Sequence, residues 1–339
     1  MLTEKENYLR VLNGEVPEWI PVYTFGKMPG SDKEPANVRI EPSIINEHRI
    51  RGGGKDFWGV EYISSKETAG AIMPKTWDYI LDDITKWRDV IKAPSLEGVD
   101  WEMVVKKDLE KSGINREESA LTLRTHIGYF QMLMSFMGFE NGLMSLYEEP
   151  DEVHALLEYM CDFYESVFDN CIDLYKPDIV NITDDTAAWN SPFISLDMYR
   201  EFFLPCYDRM AKYGRDRNLP ITFHNCGKCE SFVDDMVRIG VRGWDPAQTC
   251  NDLVSIKEKY RGTLAIMGGW DGIGRLLEPD VTDEEIRQSV MDTMDKLAPN
   301  GGFVWCGGFM GSTFNDPVIA HKNKILHETV AEYGKKFCC

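Results

Sequence analysis

Imidazole and thiolate are the side chains zinc prefers, and the segment Ile221-Thr222-Phe223-His224-Asn225-Cys226-Gly227-Lys228-Cys229 offers both. It reads as a β-branched strand running into a glycine turn. Residues i and i+2 of a strand project to the same side, so His224 and Cys226 leave its end together. About 80 residues further on, Phe303-Val304-Trp305-Cys306-Gly307-Gly308 repeats the pattern of an apolar strand ending in cysteine and glycine. Placed side by side, the two strand ends make a His-Cys-Cys site with one coordination position open, the form of a catalytic rather than a structural zinc. The competing reading is a buried histidine with two inert thiols. Cys229 complicates the set: Cys226-Gly227-Lys228-Cys229 has the C-x-x-C spacing of redox and zinc motifs. As part of the first turn of a following helix, however, it is expected to point away from the pair.

Such a site needs elements that bring distant segments together. Short apolar, β-branched stretches occur at Ile20–Thr24, Val60–Ile63, Leu121–His126, Ile179–Thr183, Ile221–His224, Val241–Trp244, Leu264–Gly268 and Phe303–Cys306. Most are separated by segments with the 3.6-residue apolar spacing of helices: Glu152–Leu174, Leu196–Tyr213, Cys229–Ile239, Leu253–Tyr260, Asp283–Leu297 and Pro317–Tyr333. Strands alternating with helices argue for α/β class and a parallel sheet, and eight strands close a (β/α)8 TIM barrel. Such a barrel takes about 250 residues. The surplus is assigned to two N-terminal insertions, Gly26–Phe57 and Ser64–Ala120, expected to cap the C-terminal mouth. No linker or low-complexity tract divides the chain, so residues 1–339 are expected to form one domain.

Active sites of these barrels lie at the C-terminal ends of the strands. His224, Cys226 and Cys306 fall there, and other polar groups join them: Arg124 and His126, Asp184 and Asp185, Asp245 after Trp244, and Asp271 after Trp270. Asp185 and Asp245 are the expected catalytic carboxylates; Arg124, His126, Asp184, Trp270 and Asp271 are expected to contact substrate. For the Asp184-Asp185 pair, work on a substrate cation, a water or a zinc ligand competes evenly with N-capping of the segment that follows. Phe130, Met132, Met134, Phe136 and Met137 read as ordinary core more readily than as an apolar pocket. Gly52-Gly53-Gly54-Lys55 lacks the spacing and the Ser/Thr of a phosphate loop.

Composition narrows the partners. The 37 basic and 56 acidic residues leave a net charge of -19, which disfavours nucleic acid and anionic membrane surfaces. No apolar run approaches the roughly 18 residues of a membrane span. The opening Met1-Leu2-Thr3-Glu4-Lys5-Glu6 has no signal-peptide character, so a cytoplasmic location is expected. Nine cysteines in that setting are expected to be reduced. Cys161, Cys171, Cys206 and Cys250 read as packing or surface residues, and the terminal Cys338 and Cys339 fit no prenylation pattern.

Over nearly its whole length the chain resembles the uroporphyrinogen decarboxylase superfamily. The most specific stretch is Asp185-Thr186-Ala187-Ala188-Trp189-Asn190-Ser191-Pro192-Phe193-Ile194-Ser195 with Met198-Tyr199-Arg200-Glu201-Phe202-Phe203-Leu204-Pro205. Residues 1–23 and the strand from Gly240 to Pro246 also fit. The resemblance implies a (β/α)8 barrel, in agreement with the strand count. True decarboxylases of the superfamily carry an arginine-rich run after the first strand. Here that stretch is Tyr23-Thr24-Phe25-Gly26-Lys27-Met28-Pro29, without arginine. The corrinoid-dependent methyltransferases, such as the methylcobamide:coenzyme M enzymes, carry zinc on an H-x-C pair and a distant cysteine, matched by His224, Cys226 and Cys306. That branch implies zinc as cofactor and methyl transfer between a small molecule (thiol, methoxy or similar) and a corrinoid. No D-x-H-x-x-G signature occurs in the chain, so the corrinoid is expected on a partner protein. The rival expectations are a metal-free decarboxylase-type enzyme and a non-catalytic protein that binds tetrapyrrole or corrinoid.

Overall fold

The structure, a computed structural model, describes residues 2–24, 34–45, 53–64, 72–124, 128–309 and 316–337. Its centre is a seven-stranded parallel sheet: β1 (Asn37–Ile40), β5 (Ala120–Arg124), β6 (Ile179–Thr183), β7 (Ile221–His224), β8 (Val241–Ala247), β9 (Ala265–Gly268) and β10 (Phe303–Val304), paired in that order. The segment around Val22 adds an eighth position, bridging in parallel to Trp305 through Tyr23 N–H to Trp305 O and Trp305 N–H to Pro21 O. Helices cover the outside. A separate antiparallel sheet holds β2 (Gly53–Lys55), β3 (Glu61–Ser64) and β4 (Ile72–Pro74).

Strand alternation sorts side chains into two layers. Outward residues such as Leu121, Leu123, Val180, Ile182, Phe223, Trp244 and Ile266 pack against the helices. Inward residues line a lumen, whose lower part is one apolar cluster: Tyr8, Val11 and Leu12 with Ala120, Ile179, Ala265, Met267 and Val304. The helix Glu4–Leu12, opened by a capping box of Thr3 and Glu6, plugs this end. Its fit explains Gly243, where a Cβ would lie 2.7 Å from Met267 Sδ and 2.8 Å from Leu12 Cδ2. One layer higher the lumen turns polar. Asn181 Nδ2 donates to Thr222 Oγ1 at 2.9 Å, and Thr183 Oγ1 to Asn181 Oδ1 at 2.9 Å.

Several predicted elements form where the spacing placed them, including the helices Asp283–Leu297 and Pro317–Tyr333 and strands β6 and β7. Two readings need correction. The second barrel strand is Asn37–Ile40, inside a stretch read as insertion; Val60–Ile63 instead contributes to β3 of the small antiparallel sheet. Asn37 and Arg39 interrupt the apolar run that would mark a strand, while β-branched residues do not reveal whether their partner runs parallel. The helix read over Leu196–Tyr213 is broken into Leu196–Met198, a π-wound turn over Tyr199–Phe203, and Leu204–Arg215. Pro205 has no N–H to close an ordinary turn there. The small sheet reaches the barrel through Trp58, whose ring contacts Phe136, Phe163 and Tyr164.

Candidate metal centre

Parallel register brings Thr183, His224 and Asp245 to one level across β6, β7 and β8. His224 Nδ1 lies 2.7 Å from Asp245 Oδ2. A carboxylate only accepts, so this contact places the ring proton on Nδ1 and leaves the Nε2 lone pair facing the mouth. Asp245 is fully buried, and its other oxygen, Oδ1, has no hydrogen-bond partner among the described residues.

Around Nε2 two further donors converge. Cys226 Sγ stands 3.7 Å away and Asp185 Oδ1 4.0 Å away. Ligand atoms of Asp185, His224 and Cys226 all lie within 4.8 Å of one another, a group that qualifies as a metal site among the described residues. Ligands tetrahedral about zinc at bond lengths of roughly 2.0–2.3 Å stand roughly 3.5 Å apart, so small adjustments would seat an ion. The chemistry of the set agrees. Burial pushes the Cys226 thiol well up, and the Asp185 carboxylate adds to the effect. An imidazole lone pair, a buried thiol and two carboxylates without a Lys or Arg among them are costly together, and a divalent cation reverses that cost.

The neighbouring aspartates divide their work. Asp184 is fully buried and accepts from Phe130 N–H at 2.8 Å, Gln131 N–H at 3.0 Å, Asp185 N–H at 2.9 Å and Tyr207 O–H at 2.6 Å. It therefore caps the helix Tyr129–Met137 from another strand. Gly128 must be glycine because a Cβ there would meet Asp184 Cγ at 2.0 Å. Burial raises the Asp184 carboxyl to about 6, against the opposing pull of Tyr207 and the three backbone amides. Asp185 turns the other way. Its Oδ1 accepts from Cys226 N–H at 2.9 Å and its Oδ2 from Gln131 Nε2 at 2.8 Å.

The turn after β7 is clamped so that Cys226 stays in place. Gly227 has φ +86°, and a Cβ there would approach Ala187 O at 2.4 Å. Asn225 is tied to Thr186 in both directions, and Gly227 N–H donates to Gln248 Oε1. Cys229 is buried beneath this turn, with its thiol on Cys226 O at 2.9 Å. It faces backbone carbonyls rather than His224. Cys306 lies buried in the lumen, outside the group formed by Asp185, His224 and Cys226; burial and Asp245 push its thiol up while Arg39 acts in the opposite sense.

Other predicted site residues are dispersed. Arg124, at the end of β5, pairs with Glu41, and both are nearly covered. His126 lies outside the described residues. Trp270 is buried against Trp305 and Phe309, with its indole N–H on Ser289 Oγ at 3.1 Å. Asp271 accepts from Thr249 N–H and Oγ1, bracing two loops. Phe130, Met132, Met134, Phe136 and Met137 are all core. Gln131 went unnoticed in the sequence because it sits inside that apolar run, and Glu41 because it follows an unrecognised strand.

Residues 125–310 match the family profile described as uroporphyrinogen decarboxylase (URO-D). A methylated-thiol–coenzyme M methyltransferase of Methanosarcina mazei is 26% identical over 153 residues, which cover 44% of this chain. The matched segment spans 38% of that relative's length. Among solved structures, a methyltransferase from Methanosarcina mazei superposes with a TM-score of 0.64, covering 98% of this chain and 99% of the other at 14% identity, which speaks to the fold. No helix among the described residues is long and apolar enough to cross a membrane.

Proposed function

The chain belongs to the uroporphyrinogen decarboxylase family, and from that premise we propose that it is a zinc-dependent methyltransferase, moving a methyl group between a small molecule and a corrinoid carried on a partner protein. The observation that carries this reading is the convergence of His224 Nε2, Cys226 Sγ and Asp185 Oδ1 at the mouth of the barrel, with Asp245 holding the imidazole from behind. The partial likeness to an enzyme named for methylated thiols supports the same chemistry. We assign His224, Cys226 and Cys306 as ligands.

When bound, zinc would supply a Lewis acid that keeps a substrate sulfur or oxygen nucleophilic, or a good leaving group, at neutral pH. The chain's own residues do the rest. Asp245 fixes the tautomer and direction of His224 and offsets the charge that the ring shares with a cation. Asp185 and the Cys226 backbone hold each other, which fixes the thiol's approach. The Arg124–Glu41 pair stands at the end of β5, where it would face a polar part of the substrate. The methyl-carrying corrinoid would come to the open mouth from a separate protein, and a cytoplasmic setting follows from such a partnership.

Metal analysis of the purified protein tests this directly. The expected content is one zinc per chain, with Cys306→Ala losing metal and methyl transfer together. A wild-type protein that stays metal-free after incubation with zinc would sink the reading.

A further inference from the structure

We propose that Asp185 is itself a ligand of the metal in the substrate-free site, and that the substrate's heteroatom takes its place. This rests on the metal-site reading above and adds a residue and an exchange to it. Of the rim aspartates, Asp185 alone aims at the ring nitrogen that faces the mouth. Asp184 is saturated by four donors, and Asp271 is spent on Thr249. The ion-pair contact of Asp185 among the described residues is His224 Nε2, at 4.0 Å, with no Lys or Arg opposite it.

Its anchoring is that of a ligand. One oxygen takes the Cys226 N–H and the other the Gln131 amide, so the carboxylate is oriented on both oxygens. A carboxylate offers about four acceptor sites, which leaves lone pairs on Oδ1 toward His224 and Cys226. Gln131 is a positioning residue: it comes from the helix that Asp184 caps, so the two adjacent aspartates build one device. The first fixes the helix, and the helix returns an amide that holds the second.

The donor types set the order of exchange. Thiolate and imidazole are the softer, preferred donors for zinc, and a carboxylate oxygen is the one a thiol displaces. On exchange the carboxylate–metal bond breaks, a sulfur–metal bond forms, and the thiol proton passes to solvent. Asp185 is then left on Cys226 N–H and Gln131, placed to return when product leaves.

Cobalt(II) in place of zinc makes the coordination visible. Wild type, Asp185→Asn and Gln131→Leu are loaded with Co2+, and each is then titrated with ethanethiol. In Asp185→Asn the ligand-field absorption should change while the sulfur-to-cobalt charge-transfer intensity, which counts thiolates, stays the same. Competition with a chelator should show Co2+ held about 10–100-fold more weakly, the scale on which groups shaping a metal site act. Ethanethiol should bind the loaded variant more tightly than wild type, because no carboxylate must leave. A purely structural role would weaken both. Gln131→Leu should shift both quantities in the same directions by less, and it carries the test if Asp185→Asn does not fold. A ligand-field spectrum of Asp185→Asn that superposes on wild type, or unchanged or weaker thiol binding, overturns the ligand assignment alone. Failure of wild type to bind Co2+ or zinc overturns the metal reading as well.

Discussion

The lower and upper halves of the lumen are built by the same strands a few residues apart, yet they obey opposite rules. Below, Ile179, Ala120, Ala265, Met267 and Val304 close on Tyr8 and Leu12, and the Tyr8 hydroxyl is turned onto Met267 Sδ at 3.8 Å. Above, Thr183, His224, Asp245 and Cys306 point into the same tube; burial raises the Cys306 thiol, and Asp245 Oδ1 has no partner among the described residues. The lower layer lowers the free energy of the fold; the upper layer spends some of it on groups that only a ligand can satisfy. Substitutions should therefore separate the two halves cleanly.

The widest separation is between Cys226→Ala and Ile179→Ala. Cys226→Ala should abolish tight metal binding with little change in unfolding free energy, because it removes a donor without opening a core cavity. Ile179 is fully buried in the lower cluster, so Ile179→Ala should cost about 2–5 kcal/mol and leave metal stoichiometry intact. Urea unfolding and metal analysis on both proteins check this. Loss of metal from Ile179→Ala at native conditions would show that the two layers are not independent.

A smaller effect is expected of Asp184, which belongs to the upper end but serves the fold. Its native carboxyl titrates near 6, above the value of about 4 for an unfolded aspartate. Between those values the native state binds more protons than the unfolded one, so stability falls as pH rises from about 4 to 6 and the penalty is complete above that. The contribution is on the order of 3 kcal/mol at most. Asp184→Asn should flatten this part of the stability–pH curve while lowering stability at every pH, since an amide cannot accept four hydrogen bonds. Urea midpoints at pH 4, 5, 6 and 7 decide it: a variant with the wild-type slope would falsify the assignment.

How much was legible in the sequence follows from the same two layers. β6 and β7 were readable because all but Asn181 and His224 of their residues are apolar or β-branched, and the i, i+2 spacing alone brought His224 and Cys226 to one side. Asn37–Ile40 was not, because its inward positions are Asn37 and Arg39, so polar residues take every second place and no apolar run marks the strand. Which of Asp184 and Asp185 faces the mouth depends on the helix beginning at Tyr129, more than 50 residues earlier, and no local pattern carries that. Cys229 is expected to point away from the pair, and its thiol does lie on the carbonyls of Asn225 and Cys226, although C-x-x-C spacing by itself does not encode that direction. Gln131 could have been noticed only as the one amide in an otherwise apolar turn.

The finest distinction lies within the upper layer, between a group that holds the metal and one that holds the holder. Asp245 touches His224 through Nδ1, on the side away from the mouth. Asp245→Asn keeps the size of the side chain but can present an amide N–H to Nδ1, which drives the ring proton to Nε2 and takes away the lone pair the metal needs. Metal affinity should drop about 10–100-fold. The metal-free protein should meanwhile become slightly more stable, because a buried carboxylate, one oxygen of which has no partner among the described residues, is replaced by a neutral group. Chelator competition and thermal melting of the apo form read the two quantities separately. Opposite signs are what the two-layer contrast requires: the cost of burying Asp245 is carried by the fold and recovered when the cation binds. A variant that loses both metal affinity and apo stability would place Asp245 with the lower layer, as packing rather than as support for the site.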